Sequence, residues 1–581
     1  MRCYTQRDET LIVKEAWLCL AVLLGAALAV LAFTGCRAPE QYASTADQEA
    51  YSVIAENRQA AVQEAPKNFS VEPPERNVLR QIPRKPDARQ PAEKEPYLDG
   101  DGAHGVRPPK QMDLATAMKL AAVNSRDFQD RREAVFLSAL SLTLQRDRFT
   151  PRFFGTVAGS LAHEENDNET ASAESNFGLN RLLQTGGEVS LEFSTILTEY
   201  LTGDPREAAS SLINLTFTQP LLRGRGISAT EPLTQAQQNL IYEMRRFVRF
   251  RRTFFTQVYS EYFDVLQQRQ VVRNEKLNLE NLRRARKRAE AMFDAGRLPG
   301  FQVDQTRQDE LRAEDRLERA QQRYHRTLDQ FKSIMGVKPD INLVLDMTEL
   351  QEMEDPKAPD LPWTREKAIE IALANRLDLK TARDRVADAR RKIQVAVNNL
   401  KPGLDLTLET GSATSGDTKP VNFSTENDTY TAGMDLDLPL ERTEERNRYR
   451  ERLIELQAAK RQAEETRDQV INAGRQAWRN YFRAWESYRI QRNSVDLAQE
   501  RVDSTTMLLN AGRASTRDML EARESLIQAQ NGLSQALVDY RVARLNLSRD
   551  LGILTMTDSH TLEDNFDYYP KTQPAEPEAN E

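Results

Sequence analysis

The sequence has few cysteines and few histidines. Of its three cysteines, Cys3 and Cys19 lie in an N-terminal leader, and a chain cleaved there would keep only Cys36, so no disulfide framework is available. The four histidines are scattered without the spacing of metal ligands, and no nucleophile stands beside a suitable base. We therefore expect no metal, no cofactor and no enzymatic activity.

Helix-breaking residues are also sparse, whereas charged residues make up 29% of the 581 positions. Such a composition favours long helices over a series of globular cores. The formal net charge of -8 argues against nucleic acid as a partner. The basic and aromatic stretch 245–252 (RRFVRFRR) is interpreted as part of a long helix. Its phenylalanines, with Phe254, would form a packed face and its arginines a solvated one.

The first 36 residues have the features of a secretory leader. Basic residues precede an apolar run from Leu18 to Phe33, which at about 16 residues is short for a membrane span. Small residues then precede Cys36. This segment resembles a bacterial lipoprotein signal, which implies lipidation of Cys36 and, with Arg37 next, sorting to the outer membrane. The alternative is an uncleaved anchor.

Two polar segments flank the rest of the chain. Residues 37–110 are rich in Pro, Gln and charged residues with little apolar periodicity, which predicts a disordered tether. Residues 556–581 form an acidic tail, which is also predicted to be disordered.

An internal repeat dominates the sequence between them. Residues 288–337 match residues 504–553 without a change of register, so that Gly296 corresponds to Gly512 and Gly336 to Gly552. Each copy reads as a helix ending in Ala-Gly-Arg, a short connection, and a second helix closed by glycine. Both copies are therefore predicted to be the tips of helical hairpins.

A second match extends the repeat toward the N-terminus. Residues 113–128 resemble residues 364–379, and at the same offset Pro151 matches Pro402. Each proline is predicted to end a helix of roughly 35 to 40 residues. The chain is thus interpreted as one duplicated unit, 113–340 and 363–555, joined by a linker at 341–362.

After each proline the apolar period changes from that of a helix to that of a strand. The second copy alternates over 404–408 and 434–438, which predicts a strand, a loop and a strand. The longer region 153–219 of the first copy predicts two to four strands, with candidates at 177–182 and 188–196. Residues 444–510 then form one helix, about 100 Å long, that must pack as a coiled coil.

This ordered set of elements resembles the TolC family of bacterial outer-membrane efflux proteins over residues 113–555. The resemblance rests on the paired A-x-x-N segments at Asn124 and Asn375, on QPLLRG and LPLER, and on the doubled AGR tips. It implies a mainly α fold with a transmembrane β-barrel part. It also implies a homotrimer with a periplasmic tunnel that meets an adaptor protein and an inner-membrane pump. The strand number of the first copy stays open.

The resemblance also implies two functional sites at the tips. Asp518 and Glu521 fall on acidic ring positions that would face the lumen and attract cations, whereas the equivalent Gln302 and Gln305 are uncharged. The alternative is that these are ordinary solvated helix residues. Docking of the adaptor is implied for the tip residues, which on the alternative interpretation only form turns: Gly296, Arg297, Leu298, Gly512, Arg513 and Ala514.

The expected function is therefore a passive exit duct of a tripartite efflux or type I secretion system in the outer membrane. The competing hypothesis is a periplasmic coiled-coil scaffold or adaptor lipoprotein that does not span the membrane. Such a scaffold would not need alternating strands at corresponding places in both repeats. The sequence does not define the cargo, the pump or the adaptor.

Overall fold

The computed structural model describes residues 39–61, 69–71, 112–164, 168–200, 207–341, 343–351, 361, 363–414, 423–556 and 562–563. Cys36 lies outside the described residues. The helices are α1 (Pro39–Ala61), α2 (Leu114–Asn124), α3 (Arg126–Asp147), α4 (Ile227–Asp294), α5 (Gly300–Ile334), α6 (Thr348–Gln351), α7 (Arg365–Asn375), α8 (Leu377–Asn399), α9 (Thr443–Asn510) and α10 (Thr516–Leu551). The strands are β1 (Arg152–Glu164), β2 (Asn168–Leu182), β3 (Glu188–Tyr200), β4 (Glu207–Pro220), β5 (Gly403–Thr414), β6 (Phe423–Asp437), β7 (Thr555–Met556) and β8 (Leu562–Glu563).

Helix α1 corrects the prediction that residues 37–110 are a disordered tether. Its buried residues recur at three- and four-residue spacing, which gives one packed helix face within a polar stretch: Ala50, Val53, Ile54, Asn57 and Ala61. The tail prediction for 556–581 is likewise wrong at β8, which pairs antiparallel with β7. The remaining residues of the predicted tether and tail, apart from 69–71, lie outside the described residues.

The first six strands form one antiparallel sheet in the order β1-β2-β3-β4-β5-β6, within a compact unit that includes residues 136–241 and 386–459. The strands predicted at 404–408 and 434–438 lie in β5 and at the end of β6, and the candidates at 177–182 and 188–196 lie in β2 and β3. The first repeat therefore contributes four strands and the second repeat two. The extra length of the first repeat is a further hairpin.

The sheet has one apolar and one polar face. Directly opposed residues share a face, and one such row runs from Gly155 through Phe177, Phe193 and Ile213 to Ser412 and Asp428. The face of this row carries most of the large apolar side chains: Phe153, Val157, Leu161, Phe177, Leu179, Leu191, Phe193, Ile213, Leu215, Phe217, Leu406, Leu408, Tyr430, Met434 and Leu436. The opposite face is mainly Ser, Thr, Asn, Asp and Glu. This alternation runs through all six strands.

Two pairs of long antiparallel helices follow the strands, α4 with α5 and α9 with α10. Helices α4 and α9 have 68 residues each, and the predicted helix at 444–510 is confirmed by α9. The second pair is joined by Tyr481 and Tyr540, whose rings stack 5.4 Å apart and whose hydroxyl oxygens are 3.0 Å apart. Among the described residues, no helix is sufficiently long and apolar to span a membrane.

The helices predicted to run unbroken to Pro151 and Pro402 are each interrupted, which corrects that prediction. Ser125 and Arg376 adopt extended backbone angles, with ψ of 126° and 121°, between α2 and α3 and between α7 and α8. The closing glycine of the same repeat packs against each interruption. A Cβ on Gly336 would lie 2.1 Å from the Asn124 carbonyl oxygen. The interruption therefore depends on a contact that is distant in sequence.

The stretch 245–252 lies within α4, as predicted. Phe247 and Phe254 are buried and pack against Phe128, with ring centroids 5.6 and 5.3 Å apart. The expectation that all the arginines are solvated is wrong, because Arg251 and Arg252 are each only 7% exposed. Arg252 donates a hydrogen bond to the Gly552 carbonyl oxygen at 3.1 Å.

Replacing Gly336 by alanine tests the glycine contact. Both Gly336 and Gly296 have positive φ, 67° and 69°. Within the part of the chain that the structure describes, no atom beyond the neighbouring residues lies within 4 Å of a Cβ built on Gly296. Gly296→Ala should therefore cost only about 1 to 2 kcal/mol of backbone strain. Gly336→Ala should cost a further ~1 to 3 kcal/mol from steric overlap. Denaturant unfolding of the detergent-purified proteins measures the difference, and equal losses would contradict the contact.

Candidate gate and docking tips

The two hairpin tips close with the same backbone geometry. Gly296 and Gly512 have φ of 69° and 70°. In each case the next amide reaches back to the helix, Arg297 N–H to the Met292 carbonyl at 2.9 Å and Arg513 N–H to the Leu508 carbonyl at 2.8 Å. This is the glycine C-cap that the Ala-Gly-Arg repeat predicts.

The tips expose backbone and apolar side chains. Among the described residues, and apart from each glycine's own chain neighbours, no atom lies within 4 Å of a Cβ built on Gly296 or Gly512. Two large apolar side chains near the tips are also exposed, Phe301 by 67% and Met507 by 66%. Exposed apolar groups beside accessible backbone are typical of a surface that meets another protein.

Asp518 lies in the first turn of α10 and serves as part of its N-terminal cap. Its Oδ2 accepts hydrogen bonds from Ser515 N–H at 2.9 Å and from Ser515 Oγ at 2.7 Å. These hydrogen bonds lower the pKa of the Asp518 carboxyl below its usual value. Within one chain, therefore, the Asp518 carboxyl is held in its charged form. A rise in its pKa would require like charges from other copies of the chain nearby.

Glu521 lies on the same helix and is paired across the hairpin. Its Oε1 accepts a hydrogen bond from Arg501 at 3.0 Å, and the two side chains are 60% and 51% exposed. Sequence reasoning missed Arg501. Its position could have indicated the pair, because Arg501 and Glu521 each lie ten residues from Ala511 at the end of the hairpin.

The two hairpins are joined behind their tips. Leu520 packs against the apolar cluster of Leu279, Leu282 and Ala313. Arg316 on α5 pairs with Glu524 on α10 at 3.3 Å. Consequently, the segment that carries Asp518 and Glu521 is fixed to the first repeat, where Gln302 and Gln305 take the equivalent positions.

The polar face of the sheet is a second region that sequence reasoning did not single out. By the strand register, this face carries seven acidic residues whose side chains the structure describes: Glu174, Glu188, Glu192, Asp405, Glu409, Asp435 and Asp437. Some are partnered, since Asn214 donates to Glu409 at 2.5 Å and Arg223 pairs with Asp437 at 2.6 Å. The alternation of each strand was the signal that could have identified this acidic face.

Part of the chain is similar to a known protein family. Residues 368–552 match the family model described as outer membrane efflux protein. The alkaline protease secretion protein AprF of Pseudomonas aeruginosa is 26% identical over 198 residues, which are 34% of this chain and 41% of AprF. The chain thus spans about two fifths of the length of this curated relative.

Solved structures share the fold over most of the chain. The outer-membrane channel OprN aligns with a TM-score of 0.56 and 14% identity, covering 76% of this chain and 89% of OprN. CusC aligns with a TM-score of 0.54 and 15% identity, covering 80% of this chain and 99% of CusC. The predicted fold class, long antiparallel helix pairs with strands, is confirmed.

Proposed function

We propose that this chain is a member of the outer membrane efflux protein family and forms a passive duct across the outer membrane and periplasm. The observation that carries the proposal is the six-stranded sheet with an apolar face, continued in both repeats by long antiparallel helix pairs. An apolar face suits lipid and the opposite polar face suits a water-filled lumen. Channels of this family conduct solutes and carry out no catalysis.

The assembly that fits this function is a homotrimer. A sheet with open edges cannot stay in the hydrocarbon layer, since every backbone polar group there needs a partner. Other copies would complete the sheet around a lumen, and the helix pairs would form the periplasmic tunnel. We further propose the repeat boundaries 113–340 and 363–555 with a linker at 341–362, which agree with the order of the elements.

Lipidation of Cys36 would anchor each copy to the outer membrane. Helix α1 begins at Pro39, three residues after Cys36. The helix then contacts α3, where Glu56 pairs with Arg146 at 2.8 Å. Because Arg146 lies six residues before Arg152, the start of β1, this contact places the end of α1 near the strands of the same chain.

The tips would serve as gate and docking surface. Three copies of Asp518 and Glu521 near a common axis would attract cations and repel anions. The six residues of the two Ala-Gly-Arg turns, with their open backbone, would bind a periplasmic adaptor that links the duct to an inner-membrane pump. The name of the alkaline protease secretion protein AprF indicates protein secretion, so export of a protein is a second candidate beside efflux of small solutes.

Planar bilayers test the duct and its gate. The purified protein should insert as a channel of low conductance and cation selectivity, because the tips restrict the lumen and carry negative charge. The double variant Asp518→Asn with Glu521→Gln should lose most of that selectivity, measured as a smaller reversal potential in a salt gradient. Asp315→Asn with Glu318→Gln is the matched control, since it removes two acidic residues at the same spacing about four helical turns further from the tip.

The control should retain the selectivity of the unmodified protein. If the trimer folds but neither the unmodified protein nor either variant conducts, the result would favour the non-spanning scaffold over the duct. Channels whose selectivity is the same in all three proteins would retain the duct and remove the acidic gate.

Adaptor docking is tested by comparing two glycines with the same backbone conformation. Gly512 and Gly226 have φ of 70° and 67°, and a Cβ built on either would meet no described atom within 4 Å other than those of its chain neighbours. Both alanine variants should therefore lose similar stability and retain conductance. Only Gly512→Ala should lose the adaptor, measured by chemical cross-linking and co-purification from the native host. Equal loss, or no loss, in both variants would contradict docking at the tip.

A further inference from the structure

Among the described residues, the hairpin β1–β2 has no counterpart in the second repeat, which contributes β5 and β6. This extra hairpin is fixed to the rest of the sheet through the turn between β2 and β3. Gly226 N–H donates to the Thr185 carbonyl at 3.1 Å, and Thr185 Oγ1 donates to Gln219 Oε1 at 2.8 Å. A Cβ on Gly186 would lie 2.6 Å from the Gly224 carbonyl oxygen. The extra strands are thus part of the wall and not a surface loop.

The outer strands of the sheet, β1 and β6, each have one edge without a strand partner among the described residues. Their apolar side chains are the most exposed of the sheet: Phe153 by 83%, Leu161 by 81%, Tyr430 by 79% and Met434 by 67%. Both strands are long, with 13 and 15 residues. Two long apolar edges of this kind need another strand beside them.

We propose that β6 of one copy pairs with β1 of a second copy of this chain, so that three copies close one barrel. Six strands from each of three copies give 18 strands. The inference rests on the trimer of the proposed function and deepens it, because it specifies the wall of the duct. Without β1 and β2 the ring would hold four strands per copy, 12 in all, and β6 would meet β3 of the next copy.

Strand direction and face both permit this junction. In an antiparallel sheet of six strands, β1 and β6 run in opposite directions, so β6 beside β1 continues the antiparallel pattern. Arg152, the first residue of β1, and Asp437, the last of β6, both lie on the polar face. Placing them opposite each other keeps each face continuous from one copy to the next and brings opposite charges to the same level.

The internal stagger of the sheet supports the same register. The row of opposed residues from Gly155 ends at Asp428. Gly155 lies three residues from Arg152, the end of β1, whereas Asp428 lies nine residues from Asp437, the end of β6. The row of opposed residues therefore moves six residues along the strands each time it crosses one copy. Three copies then give a shear of 18 for 18 strands. Equal shear and strand number correspond to a tilt of ~36°, within the ~35–45° of membrane barrels.

This register also places small residues opposite large ones on the lipid face. Gly155 would face Met434, and Gly159 would face Tyr430. A large side chain that covers a glycine on the neighbouring strand is a favourable cross-strand arrangement. The closed ring would be about half again as wide as a 12-stranded ring, because barrel diameter grows roughly in proportion to strand number.

Paired cysteines distinguish the two rings. In the proposed register Ala158 lies opposite Thr431, both on the polar face. Ala158→Cys with Thr431→Cys should therefore give disulfide-linked trimers on oxidation, seen on non-reducing gels of the full chain from outer membranes. Ile196 occupies the row of Ala158 on β3, so Ile196→Cys with Thr431→Cys is the matched pair for the 12-stranded ring. Single-cysteine variants give the background from Cys36.

The expected result is linked trimers from the Ala158 pair and none from the Ile196 pair. Two further pairs, Ala158→Cys with Thr429→Cys and Ala158→Cys with Gly433→Cys, test registers shifted by two residues. A disulfide in either of these pairs would retain the 18-stranded ring with a different strand tilt. Linkage of the Ile196 pair, or of none of these pairs in a conducting trimer, would overturn the inference while leaving the duct intact. A protein that neither assembles nor conducts would overturn the proposed function itself.

Discussion

The constraint on which the rest depends is that backbone N–H and C=O groups need hydrogen-bond partners in a lipid layer. Six strands in one antiparallel order satisfy much of this requirement within one chain, whereas the outer edges of β1 and β6 have no strand partner among the described residues. The chain therefore contains a third of the proposed 18-stranded wall and cannot close it alone. The proposed trimer follows from this requirement, since further copies of the chain bring matching edges.

A second contact sets the geometry of the helices. In each repeat a glycine at the end of the last helix lies against an asparagine at the interruption of the first: Gly336 against Asn124, and Gly552 against Asn375. The same residues recur in both repeats, so both interruptions have one physical cause. At the tips, by contrast, Gly296 and Gly512 have open space around them. Glycine thus serves close packing in one place and an accessible turn in the other.

Periodicity and breakers in the sequence predicted the features that depend on local pattern. Helix α9 and the four strand candidates were found because their spacing differs from that of their surroundings. The interruptions at Ser125 and Arg376 were missed because they depend on glycines more than 170 residues away in the sequence. Helix α1 was missed because its apolar face is narrow. Predicting the pair between Arg501 and Glu521 would have required the register of the hairpin. Predicting that Asp518 caps α10 would have required the geometry of the first helical turn.

The most direct test of a membrane-embedded sheet is the accessibility of single cysteines along β4, in outer-membrane vesicles, to a membrane-impermeant thiol reagent. Asn214, Thr216 and Thr218 lie on the polar face, whereas Ile213, Leu215 and Phe217 lie on the apolar face. Cysteines at the first three positions should react and cysteines at the other three should not, so that labelling alternates with every residue. Uniform labelling along the strand would mean that both faces meet water, and it would contradict the duct.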